Sequence, residues 1–193
     1  MSVIDTTRRP LDLSAQPALT SASGRRAMIA FAMEEQCHSN WCWAAVAASV
    51  AAYYDNGTYK KQCEIAALDL DRADCCAHAC GAKDVECNVT NVFGSPLNRV
   101  RCLQRLERFK QATPSEVLEE LEAGRPICVR TVWPGGGAHF VAIVGSWLDA
   151  GGASMLALDD PFWGRSEYSY DRFATHYQLL GGSWNDTYYT RSP

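Results

Sequence analysis

A chain of 193 residues with 47% hydrophobic content is long enough for a substantial core, and no internal repeat divides it. Its net charge of −4 at pH 7 supplies no basic field for nucleic acid, and its longest apolar run, Trp41 to Tyr54, falls short of a membrane span. Nucleic acid and membrane are therefore not expected among its partners. In chain order, residues 1–30 are mostly polar, rich in Ser, Thr, Ala and Pro, and without apolar periodicity, so they read as a flexible leader or arm ahead of a domain at 31–193. Arg8-Arg9 is followed by Asp12 and polar residues where an export signal would carry its apolar stretch, so no cleaved signal peptide is expected. Trp41 to Tyr54 has no Gly or Pro and reads as a buried helix, with Ser39 or Asn40 as its cap. Lys61 to Leu70 reads as a second, short helix. After a cysteine-rich loop, Val100, Leu103, Leu106 and Phe109 predict a helix over Arg99 to Lys110. Thr113-Pro114-Ser115-Glu116 is a capping box with Pro at the first helical position, and Gly124 closes the helix that follows.

From Pro126 onward the pattern changes to strands. Ile127 to Trp133, His139 to Leu148, Ser154 to Leu158 and Ser183 to Thr190 alternate with Gly-rich turns, with a helix over Tyr170 to Tyr177 between the last two. The expected fold class is α+β: an N-terminal helical half against a C-terminal antiparallel sheet half, with a cleft between them.

Chemistry concentrates at three places. Cys42 falls in the first turn of the apolar helix, where unsatisfied backbone N–H groups and the positive end of the macrodipole favour a thiolate. His139 stands between Gly135-Gly136-Gly137-Ala138 and the apolar run Phe140 to Val144, at the mouth of a core strand, and is the best candidate base among four histidines. Asp159 and Asp160 end the next apolar strand. Strand alternation turns them to opposite faces, so only one can orient the imidazole. Each residue alone has a plain structural reading: a lone Cys in an Ala-rich helix is usually packing, a His beside glycines a loop residue, and Asp-Pro a turn opener. It is their occurrence in the order Cys, His, Asp that points to nucleophilic catalysis.

Gln36, six residues ahead of Cys42, the stretch Ser39-Asn40-Trp41-Cys42-Trp43-Ala44-Ala45-Val46, the run Ala123-Gly124-Arg125-Pro126 and the segments Gly136-Gly137-Ala138-His139-Phe140-Val141 and Asp160-Pro161 resemble papain-like cysteine peptidases, the bacterial and effector-type branch above all, over residues 33–190. The resemblance implies Cys42 as nucleophile, His139 as general base and acid, Asp160 as the residue that orients His139, and Gln36 with the Cys42 backbone N–H as oxyanion donors. It favours Asp160 over Asp159, because the orienting residue of the family directly precedes a segment like Pro161-Phe162-Trp163. The implied activity is hydrolysis of a protein or peptide through a thioester, with no metal or organic cofactor. Self-processing of the leader is a further implication. Thioester-forming transferases and deamidases, or a binding module without turnover, are the alternatives on the same fold. Without a signal peptide or membrane span, the expected location is the cytoplasm, or outside the cell as an exported effector.

The sequence holds nine cysteines, five of them at Cys63, Cys75, Cys76, Cys80 and Cys87. Setting Cys42 aside leaves eight, which fits several disulfides, a metal site that would include His78, or reduced thiols. Cys37 and Cys128 are expected in the core. Of the aromatics near the motifs, Trp133 and Trp163 flank catalytic segments and are the candidate substrate-binding residues; the other reading is a shield for the His139 to Asp160 hydrogen bond.

Overall fold

A computed structural model of the chain describes residues 24–54, 59–83, 85–92 and 94–193. A single antiparallel sheet forms one half. Its strands are β1 (Ala27–Met28), β2 (Leu103–Glu107), β3 (Ile127–Val132), β4 (Ala138–Leu148), β5 (Ser154–Asp160), β6 (Gly164–Ser169) and β7 (Ser183–Thr190), in the spatial order β2-β7-β3-β4-β5-β6. The helices are α1 (Cys42–Tyr54), α2 (Gln62–Leu70), α3 (Gly94–Arg99), α4 (Pro114–Glu122) and α5 (Tyr170–Thr175). The architecture is α+β, as expected. Among the described residues no helix is long and apolar enough to cross a membrane.

α1 is the buried axis of the helical half. Every residue from Cys42 to Ala51 is buried, and the helix packs against β4, α2 and α3. Its many alanines let backbones approach on all sides, and Trp41 and Trp43, both fully buried, fill the space at its start. Ser49, the one polar residue of that run, donates to Ala45 O at 2.7 Å and accepts from Glu34 N at 2.9 Å, tying the segment before Gln36 to the helix. The expected cap differs. Asn88 Oδ1 accepts from Asn40 N, Asn88 O accepts from the Asn40 side chain, and Ser39 Oγ accepts from Asn88 Nδ2, so both cap candidates turn outward to the cysteine-rich loop.

β4 does two jobs along its length. Its first half pairs with β3, Thr131 facing His139; its second half pairs with β1, Ala27 facing Ser146. β1 thus continues the line that β3 leaves, close over Gly145, where a side chain would strike Met28. This moves the expected domain boundary: Ala27, Ile29 and Phe31 are core residues, so the folded part begins before residue 30. The rest of the expected leader, residues 1–23, lies outside the described residues.

The expected helix over Arg99 to Lys110 does not form. α3 ends at Arg99, Arg101 takes a left-handed φ of 61°, and the chain continues as edge strand β2. Thr113 and Glu116 make the reciprocal capping bonds that the sequence predicts, and Gly124 leaves the helix with φ of 71°.

Candidate active site

Cys42 is the first residue of α1, 7% exposed, where its backbone N–H has no partner one turn earlier. The start of that helix is fastened to the cysteine-rich loop. Trp41 Nε1 donates to Cys87 O at 2.7 Å, and Trp43 Nε1 donates to Val89 O at 3.1 Å. Disulfides Cys37–Cys80, Cys63–Cys76 and Cys75–Cys87 then brace the loop against itself, α2 and the segment carrying Gln36. The disulfide reading of the sequence is the one realised, and Cys37, expected in the core, belongs to it. The sulfurs of Cys75 and Cys87, which lie beside Asp74 like a ligand group, are bonded to each other. Cys128 is buried in β3, and Cys102 is buried with its thiol on Val100 O.

His139 comes from the opposite wall. In the β4–β5 register Ala142 faces Asp159, so the next residue of β5, Asp160, lies level with Val141 on the face that carries His139. His139 Nε2 meets Asp160 Oδ2 at 2.8 Å. The Cys42 thiol is the other group that acts on the imidazole, and both residues border one cavity. Asp159 turns to the other face and forms a forked ion pair with Arg165, with bonds of 2.6 and 2.7 Å. The choice between the two carboxylates is thus made by strand alternation.

The electrostatics follow from burial and partners. Burial pulls the His139 pKa down, but hydrogen bonds and charge from Asp160 and Cys42 outweigh it and push the imidazole up to about 9. Burial pushes the Asp160 carboxyl up, and the bonds from His139, Tyr177 and the Trp163 N–H hold it below its usual value. Asp160 is 2% exposed and every lone-pair direction is used: Oδ1 accepts from Phe162 N at 2.6 Å and Trp163 N at 2.9 Å, and Oδ2 accepts from the Tyr177 hydroxyl at 2.6 Å as well as from His139. Tyr177 escaped the sequence reading, which ended a helix on it and gave it no role.

Gln36 lies beside the segment that follows Asp160, its backbone N–H donating to Pro161 O at 2.8 Å, and it does not border the cavity that Cys42 and His139 share. Its side-chain Nε2 donates to His38 O at 3.0 Å and Ser39 O at 2.8 Å, so both of its hydrogens are engaged on the chain that leads to Cys42. Trp133 and Trp163 stand over the imidazole. Trp163 is edge-on to His139 with ring centroids 5.0 Å apart, and Trp133 lies nearly parallel to it at 6.5 Å. Neither borders the cavity that holds Cys42 and His139. That cavity, of about 720 Å³, is bordered by Trp43, Leu106, Phe109, Phe140 and Tyr188, with Arg130 and Asp186 at one side. There Asp186 accepts from Phe109 N at 3.0 Å and from Arg130 Nη1 at 3.4 Å.

A cysteine at the head of a buried helix, facing a histidine on an antiparallel sheet, makes this an α+β protein of the papain-like kind. A sequence profile of the family described as papain-like cysteine protease AvrRpt2 matches residues 26–178, and the chain belongs to that family of cysteine proteases. Among solved structures, the chain is similar to the bromelain protease from Ananas comosus in complex with the E64 inhibitor, at 12% identity and a TM-score of 0.48, over 86% of this chain and 98% of that one. It is also similar to the Amb a 11 cysteine protease, a major ragweed pollen allergen, in its proform, at 12% identity and a TM-score of 0.47, over 89% of this chain and 66% of that one. No curated protein matches the sequence.

Proposed function

We propose that the chain hydrolyses peptide bonds with Cys42 as nucleophile, His139 as general acid and base, and Asp160 as the residue that orients His139. The observation that carries this reading is the imidazole bound at Nε2 by Asp160, at 2.8 Å, in the wall of a cavity that Cys42 also borders. A proton moved from Cys42 to His139 leaves a thiolate beside an imidazolium that Asp160 stabilises. The thiolate adds to the substrate carbonyl carbon, and the carbonyl oxygen becomes an oxyanion. The Cys42 backbone N–H and Gln36 Nε2 are its donors, the latter by exchanging one of its two carbonyl partners for the oxyanion. As the intermediate collapses, His139 gives its proton to the leaving amine, and a thioester remains on Cys42. Water then attacks the thioester and gives a proton to His139, releasing the acid and the thiolate.

Trp133 and Trp163 serve in this reading chiefly to keep water from the His139–Asp160 bond, since both pack on the imidazole and not on the cavity. The protein acts as an exported bacterial effector, and its disulfides suit an oxidising compartment on the way to its target. It removes its own leader. Profiling a library of peptides with wild type and Cys42→Ala tests the activity: new termini with the wild type alone support it, and an unchanged library refutes it. Comparing the intact masses of the same two proteins tests self-processing. A shortened wild type beside a full-length variant supports it, and equal masses refute it.

A further inference from the structure

The carboxylate of Asp160 is held more fully than orientation requires. Its Oδ1 is fixed by two backbone N–H groups, those of Phe162 and Trp163, which set the plane of the carboxylate without help. The remaining donor, the Tyr177 hydroxyl, goes instead to Oδ2, the same oxygen that accepts from His139. Two donors on one oxygen divide its charge.

Tyr177 cannot leave that oxygen easily. A small hairpin closes around it, with Tyr177 N donating to Gly182 O at 2.7 Å and Gly182 N to Tyr177 O at 2.8 Å, while Gln178 and Gly181 take φ of 54° and 70° in the turn. Its ring is fully buried, nearly parallel to Trp133 at 6.4 Å, edge-on to Phe173 at 5.2 Å and tilted on Tyr168 at 5.4 Å. Burial and the neighbouring Asp160 charge both push the phenol up, so it stays a donor across the working range of the site. The titratable groups around the His139–Asp160 pair are Cys42 on α1, Tyr168 on β6 and Tyr177 itself; Asp159 and Arg165 neutralise each other on the opposite face.

We propose that Tyr177 is a positioning residue that acts through Asp160: by sharing Oδ2 it limits how tightly His139 holds its proton. This rests on the reading of Cys42 and His139 as the reacting pair. An imidazolium bound too strongly by its carboxylate is a poor acid toward the leaving amine, whereas one that shares the carboxylate with a phenol gives its proton up more readily.

The test follows the alkylation rate of Cys42 by iodoacetamide against pH, with the labelled peptide identified by mass. In the wild type the thiolate–imidazolium pair gives two steps, the upper one marking loss of the His139 proton. Tyr177→Phe keeps the ring and removes the donor, and it should move the upper step to higher pH by about half a unit or more, with kcat for peptide cleavage lowered. Site-specific difluorotyrosine at position 177, a stronger donor of similar size, should move the step the other way. Tyr168→Phe, which touches the Tyr177 ring but not Asp160, should leave it in place. An upper step that stays or falls in Tyr177→Phe, or that rises with the fluorinated ring, overturns the role of Tyr177 while leaving the pair intact. A wild type without the upper step removes the Cys42–His139 pair, and the proposal with it.

Discussion

Cys42 and His139 face each other across one cleft, but the two walls that carry them are held by different means. On the sheet side, His139 and Asp160 are fixed by ladders: β4 lies between β3 and β5, and its residues from His139 to Ser146 are buried. On the helical side, residues 71–92 contain neither helix nor strand among those described, and the loop that grips the head of α1 is braced by three disulfides and by side chains bonded to backbone, Asn40 on Asn88 and Trp41 on Cys87. A ladder adds one backbone hydrogen bond after another, so its stability is spread over many residues. A disulfide-braced loop concentrates its stability in a few covalent links. Cys42 is thus mounted on the wall that a change of redox conditions can loosen, and His139 on the wall that it cannot.

The largest expected effect comes from breaking the sheet side of the site at its chemistry. His139→Ala should lower kcat/KM for a peptide substrate by about a thousandfold or more, because the base and the leaving-group acid go together. Circular dichroism should show an unchanged fold. Next in size is reduction of the disulfides, which should destabilise the helical side by about 2–4 kcal/mol for each link lost. Hydrogen exchange is the measurement: amides near the start of α1 and in residues 71–92 should lose protection in reductant while those of β3, β4 and β5 keep theirs. Equal loss on both walls would erase the contrast.

A smaller effect sharpens the sheet side. A side chain at Gly182 would run into the Trp133 ring, so Gly182→Ala should cost about 1–3 kcal/mol in thermal or chemical unfolding as the indole and the Tyr177 hairpin are pushed apart. The dependence of stability on pH is comparable in size. His139 is raised in the folded protein from 6.5 to about 9, so its contribution is fully present below about pH 6.5 and lost as pH rises through about 9. That should appear as a decline of roughly 3 kcal/mol in unfolding free energy over the interval, and Asp160→Asn should flatten it.

The same contrast explains how much the sequence disclosed. α1 was legible because an apolar run without Gly or Pro leaves little else to form, and β7 because Ser183 to Thr190 is rich in strand formers. Alternation made it legible that Asp159 and Asp160 turn to opposite faces, and the resemblance at Asp160-Pro161 singled out Asp160. β6, Gly164–Ser169, was not, since it is a part-exposed edge strand without a continuous apolar run, paired with β5. β2 was mistaken for a helix because Val100, Leu103 and Leu106 fall at helical spacing, while Arg101 in the left-handed region breaks it. The disulfide partners and the bond from Tyr177 to Asp160 are set by chain folding over long separations, which local pattern does not encode.

The central claim is that Cys42, alone among the cysteines, is a nucleophile made so by His139. Mapping the adduct of an epoxysuccinyl thiol reagent by mass tests it most directly. A single adduct at Cys42, abolished in Cys42→Ala and strongly slowed in His139→Ala, is the predicted result. Adducts at Cys102 or Cys128, or labelling of Cys42 at an unchanged rate without His139, would contradict it.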